Sequence, residues 1–135
     1  MRPKVILNCA ASADGKIALS NRQGLKLSNE EDLERVHLLR NKYDAILVGI
    51  GTVVEDDPAL TINPKFKTAE NPVRIVLDTT CRISRTAKIL DGRSKTIIAT
   101  GEKTKIDHLP NAEIIKCGTK KVDLPKLLEK LSNRG

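Results

Sequence analysis

Residues 45–61 read AILVGIGTVVEDDPALT. The first six form an apolar, β-branched run of strand length. Behind them, Gly51-Thr52-Val53-Val54-Glu55 has capping-box spacing, with Thr52 as N-cap and Glu55 three residues on. The stretch therefore predicts a strand that passes straight into a short helix. Parallel strands need such crossovers, so this transition points to an α/β fold.

Four more runs have the same character, at 5–9, 73–78, 96–100 and 113–117. They alternate with helical patterns. Ser28 with Glu31 three residues later reads as a capping box, and Leu33, Val36 and Leu39 follow at helical spacing, which predicts a helix over 29–42. After Asp123, the residues Leu124, Leu127, Leu128 and Leu131 share one stripe, and Gly135 sits at a C-cap-like position. The expectation is a mostly parallel central sheet flanked by helices, with ligands gathering at the carboxyl ends of its strands.

The chain has 135 residues, enough for one core, and 1–135 is read as a single domain. That core must be aliphatic, since Tyr43 and Phe66 are the only aromatic side chains of the Phe/Tyr/Trp class. No run approaches the roughly 18 apolar residues of a membrane span, and the N-terminus reads as a strand, so the expected location is cytoplasmic. Cys9, Cys81 and Cys117 are far apart and form no C-x-x-C pair, which argues for reduced, partly buried thiols. The net charge of +7 favours an anionic partner. No aromatic stacking strand, helix-turn-helix pattern or Lys/Arg-rich helix marks nucleic acid as that partner.

Several residues are candidates for chemistry. A helix N-terminus behind Gly49 and Gly51 offers free N–H groups and the positive dipole end to a phosphate, although an ordinary strand-to-helix turn has the same appearance. Asp56 and Asp57 are adjacent and point to different faces, without a convergent third ligand, so no metal site is expected. Asp57-Pro58 reads as a turn, which leaves Asp56 to accept hydrogen bonds. Arg82 and Arg85 bracket Ile83 and Ser84 after the 73–78 strand, as a phosphate clamp or as a solvated basic loop. Arg40 falls inside the apolar stripe of its helix, which requires a partner or a route to water. Residues 8–18, NCAASADGKIA, read as strand, small residues and an Asp14-Gly15 turn. His37 and His108 read as surface residues, and no nucleophile with an adjacent base is visible.

Together, NCAASADGKIA, LLRNKYDAILVGIGTVVEDDPALT and RIVLDTTCRISRTAKIL resemble the reductase family of riboflavin biosynthesis, in its stand-alone archaeal and fungal form and as the C-terminal domain of bacterial bifunctional deaminase-reductases. The resemblance implies a dihydrofolate-reductase-like fold, a homodimer, and NADPH-dependent reduction of the ribosyl group of 2,5-diamino-6-ribosylamino-4(3H)-pyrimidinone 5′-phosphate. It assigns Thr52, Asp56 and the segment Arg82, Ile83, Ser84 and Arg85 to the cofactor, and Asn8, Ser12, Arg40, Leu60 and Asn63 to the substrate side. Bacterial relatives tend to carry lysine where Asn8 stands, which leans towards the diamino substrate over the deaminated one. Family members continue through a further glycine-rich strand-turn-helix, so the chain reads as the first part of the family domain. A non-catalytic nucleotide or nucleic-acid-binding module is the competing reading.

Overall fold

A computed structural model describes residues 3–21 and 26–134. Its elements are α1 (Glu30–Lys42), β1 (Ala45–Gly49), α2 (Ile50–Asp56), β2 (Val73–Leu77), β3 (Thr96–Thr100), β4 (Glu113–Lys116) and α3 (Leu124–Ser132). Short 3-10 turns lie at Pro64–Phe66 and Lys88–Leu90. The four strands form one sheet in the order β1-β2-β3-β4, parallel throughout.

Alternation along the strands divides the core into two layers. Val76 and Ile98 face one side and pack with Val53, Leu60, Ile83, Ile89, Leu90 and Leu109, contributed mainly by the connections. Ile75, Ile97, Ala99 and Ile115 face the other side, against Val122 and Leu127. Leu127 is fully buried whereas Leu124 is 45% exposed, so α3 lays only part of its leucine stripe on the sheet. Asp123 caps α3 by accepting from the Lys126 N–H, as its position before the stripe predicts. Gly135 lies outside the described residues.

Five expectations need correction. Residues 5–9 form no strand: Val5 is 68% and Leu7 89% exposed. A β-branched run is only competent for a strand, and it becomes one when a ladder partner takes its N–H and C=O groups; among the described residues none does. The N-cap of α1 is Asn29, which accepts from the Asp32 N–H, one residue beyond Ser28. Ser28 still contributes by hydrogen bonding the Asp32 carboxylate, which lowers that group's pKa. The N-cap of α2 is Gly49 and not Thr52, and no side chain caps it. Ile50, expected in the strand, is the first helical residue. Finally, Cys9 is exposed and only Cys117 is fully buried.

α1 buries none of its residues, and Leu33 and Leu38 are about half exposed. It docks through polar side chains spaced a turn apart. His37 Nδ1 accepts the Asn63 N–H at 3.1 Å, and Arg40 donates to the Thr61 carbonyl at 2.7 Å. Asn41 donates to the Phe66 carbonyl and accepts from the Thr68 and Ala69 N–H groups. These bonds satisfy backbone groups of a segment with no ladder of its own.

Candidate functional site

The carboxyl ends of the strands lead into α2, residues 78–85, residues 101–104 and residues 117–122. Thr79 joins the last three. Its carbonyl accepts from the Gly101 N–H at 2.9 Å and the Thr104 hydroxyl at 2.9 Å, and its own hydroxyl accepts from the Val122 N–H at 3.3 Å. Gly118, at φ +89°, makes this closeness possible: a Cβ there would lie 2.1 Å from the Lys121 carbonyl oxygen.

In α2, Thr52 and Asp56 are exposed and four residues apart, on one helical face. A Cβ built on Gly49 or Gly51 meets nothing within 4 Å, so an approaching group finds bare backbone there. The two aspartates divide as their spacing implies. Asp57 adopts left-handed backbone at φ 41°, and its carboxylate accepts the Lys88 N–H at 2.8 Å. Asp56 makes no hydrogen bond among the described residues.

The 78–85 segment hangs on Asp78, which is fully buried and accepts the Ile83 N–H at 2.9 Å. Ile83 plugs into the core at 6% exposure, so of the expected cofactor segment its side chain is the anchor. Arg82, Ser84 and Arg85 project outward around it, and the Ser84 and Thr86 hydroxyls share a 2.9 Å hydrogen bond. Cys81 sits at φ 57°, where the segment reverses. Burial raises its thiol pKa, Asp78 raises it further, and Arg85 opposes this.

On the other side, residues 59–63 run as a ribbon whose backbone is held by side chains: Ala59 O by Arg74, Thr61 O by Arg40, Ile62 N by Asn71 and Asn63 N by His37. Leu60 is buried in the core with left-handed backbone at φ 53°, uncommon for a bulky residue. Beside the ribbon lies a cleft of about 370 Å³ whose walls include His37, Asn63, Lys67, Asn71 and Arg93, with no carboxylate among its lining residues. Arg40 is half-buried with its Nε lacking a partner, and burial lowers its pKa. The guanidinium thus neither snorkels nor stands free: one nitrogen secures Thr61.

Asn8 accepts from Arg35 of α1 at 2.8 Å, and Ser12 closes the turn around Asp14 and Gly15 through Asp14 and Lys16. The structure therefore puts Asn63 in the cleft wall, ties Arg40 to that wall only through the Thr61 carbonyl, and sets Thr52 and Asp56 on one helix face, while Asn8 is tied to α1 and Ser12 to its own turn. Among the described residues no group of three His, Cys, Asp or Glu side chains could hold a metal ion. No described helix is long and apolar enough to cross a membrane.

Two residues carry roles that the sequence reading missed. Arg74 is fully buried in β2 and bonds Thr96, Ala59, Asp91 and Ser94. Burial pushes the Asp91 carboxyl up, but hydrogen bonds from Arg93 and Arg74 outweigh it and hold the pKa at about 2. A charge inside an otherwise apolar strand was the available signal. His37, read as a surface residue, is stacked on Phe66 with ring centroids 5.6 Å apart.

Fold and site together define a parallel α/β domain with two candidate regions, a glycine-led helix end and a basic cleft with no carboxylate in its lining. The chain belongs to the RibD C-terminal domain family, whose model matches residues 3–135. It is 42% identical over 140 residues to the 2,5-diamino-6-ribosylamino-4(3H)-pyrimidinone 5′-phosphate reductase of Methanothermobacter thermautotrophicus, covering 100% of this chain and 64% of that protein. It is 42% identical over 147 residues to the protein of the same name from Archaeoglobus fulgidus, covering 100% and 67%. The chain thus spans about two thirds of the length of these curated relatives.

Among solved structures, the Thermotoga maritima diaminohydroxyphosphoribosylaminopyrimidine deaminase/5-amino-6-(5-phosphoribosylamino)uracil reductase superposes with a TM-score of 0.81 at 30% identity, over 98% of this chain and 36% of that one. The riboflavin biosynthesis reductase Rib7 of Saccharomyces cerevisiae gives 0.64 at 28% identity, over 76% and 49%. The chain shares the dihydrofolate-reductase-like α/β fold of these neighbours.

Proposed function

We propose that the protein is the NADPH-dependent reductase that converts the ribosyl group of 2,5-diamino-6-ribosylamino-4(3H)-pyrimidinone 5′-phosphate to its ribityl form, acting in the cytoplasm as a homodimer. The carrying observation is 42% identity along the whole chain to relatives of that name. NADPH supplies a hydride for the C1′ carbon of the opened ribose. The protein's part is to hold the partners in line. Thr52 and Asp56 offer a hydroxyl and a carboxylate on one exposed helix face, next to glycines that allow close approach. Arg82 and Arg85, with the Ser84 hydroxyl, bind the phosphate that distinguishes NADPH from NADH. Arg40 and Asn63 serve the substrate's 5′-phosphate, Leu60 shapes the ribbon between the two regions, and Asn8 and Ser12 border the pyrimidine and ribose.

Asn8 favours the diamino substrate over the deaminated one. Following NADPH oxidation with each pyrimidine tests both points: faster turnover of the diamino compound is expected. Turnover of neither would sink the reductase reading, and preference for the deaminated compound would reverse the substrate assignment.

A further inference from the structure

We propose that His37 is a positioning residue for the substrate-side ribbon: its neutral imidazole holds the Asn63 N–H, and uptake of a proton on Nδ1 releases Asn63 and weakens binding of a phosphorylated sugar. The binding half of this proposal rests on the reading that Asn63 and Arg40 face the substrate.

The geometry admits one protonation state. The Asn63 N–H points at Nδ1 from 3.1 Å, so Nδ1 must carry a lone pair, and an imidazolium would set two donors against each other. The plane of the ring is held by its stack on Phe66 at 5.6 Å with an 18° interplanar angle. Asn63 in turn caps the Pro64–Phe66 turn by accepting the Lys65 N–H at 3.0 Å. His37, Asn63 and Phe66 therefore form a closed unit, and its loosening would shift the wall of the cleft.

The charges around His37 oppose a second proton. Arg40 lies one turn along α1, Lys65 sits over the Phe66 ring, and Lys67 and Arg93 line the same cleft from two other segments. Glu34, one turn back on α1, is exposed. Burial, then Arg40, lowers the His37 pKa, so the accepting form prevails at neutral pH. An anion in the cleft could instead favour imidazolium as a direct contact, and the two roles have opposite signs in acid.

The experiment has two arms. In ¹⁵N-labelled protein, the Asn63 amide resonance should follow the His37 titration, with no ligand present; an amide indifferent to it overturns the proposal. In the second arm, KM or Kd for the phosphorylated pyrimidine, with ribose 5-phosphate as a simpler probe, is measured between about pH 7.5 and pH 5. His37→Gln, which keeps an acceptor but does not titrate, corrects for the ligand's own phosphate. Relative to that variant the native protein should weaken about three- to tenfold in acid, the worth of one hydrogen bond, with the effect in KM and not in kcat. Equal pH dependence in the two proteins, or tighter binding by the native protein in acid, overturns the positioning role. Absence of binding at every pH while the Asn63 amide still tracks His37 counts against the functional reading of the site, not against the coupling.

Discussion

The molecule is held together in two different ways on either side of Val53. None of the described residues before it is buried, whereas the stretch from β2 to α3 carries most of both core layers. The later region is an aliphatic sheet closed on both faces. Apart from β1, which ladders with β2, the earlier one is joined by α1 side chains reaching backbone groups of residues 61–69: His37, Arg40 and Asn41. Hydrophobic burial involves no titrating group, while hydrogen bonds at a half-exposed seam are worth little net energy each and respond to protonation when a histidine makes them. Arg40 and Asn63 of the proposed substrate side sit on that softer seam, and the proposed cofactor clamp is anchored in the sheet region through Asp78 and Ile83.

Breaking the rigid region should cost most. Arg74→Met removes a fully buried guanidinium, leaves the Ala59 carbonyl without its partner and takes one bond each from the Ser94 carbonyl and the Thr96 hydroxyl, for an expected loss of about 3–5 kcal/mol in urea denaturation. A loss below about 1 kcal/mol would mean that the network is dispensable. Gly118→Ala should follow, at about 1–3 kcal/mol from left-handed backbone alone, with the clash against Lys121 adding to it. Thermal denaturation reads this, and an unchanged Tm would contradict the close packing of the carboxyl-end loops.

The seam should give way separately. Asn41→Ala removes three hydrogen bonds to residues 66–69, with an expected cost of about 1–2 kcal/mol. Hydrogen exchange should quicken in α1 and the Pro64–Phe66 turn while β2, β3 and β4 keep their protection. Uniform quickening would show that the two regions unfold as one.

The smallest effect is an acid one. Asp91 has its pKa lowered from 3.8 to about 2, so its contribution is complete above the unfolded value and fades as pH falls from about 4 towards 2. Asp91→Asn should flatten the stability profile in that window, and an unchanged profile would assign the acid response elsewhere.

Legibility in the sequence follows the same division. β3 lies where its run predicts, and β1, β2 and β4 each stop one residue short of theirs, because a buried parallel strand is specified by its own apolar run. Residues 5–9 have the same composition and form no strand, because pairing depends on a partner that composition does not name. The caps slipped for a related reason. Ser28 and Asn29 are both competent N-caps and only the backbone chooses, while in α2 the free glycine end displaced Thr52 into the first turn. Asp57 was readable as a turn residue before proline, although it takes left-handed backbone at φ 41° and not the extended form that proline favours in its neighbour. The docking role of His37 and Asn41 was not, since polar residues on a helix usually face water, whereas Arg40 inside the apolar stripe already called for a partner or a route to water.

The central claim is a reductase whose cofactor phosphate is read by the loop after β2. Calorimetric titration of NADPH and NADH into the protein and its Arg82→Ala/Arg85→Ala variant tests it most directly. The account predicts tighter NADPH than NADH binding in the native protein and near-equal binding in the variant. Equal affinity for both cofactors in the native protein, or a preference that survives the double substitution, would contradict it.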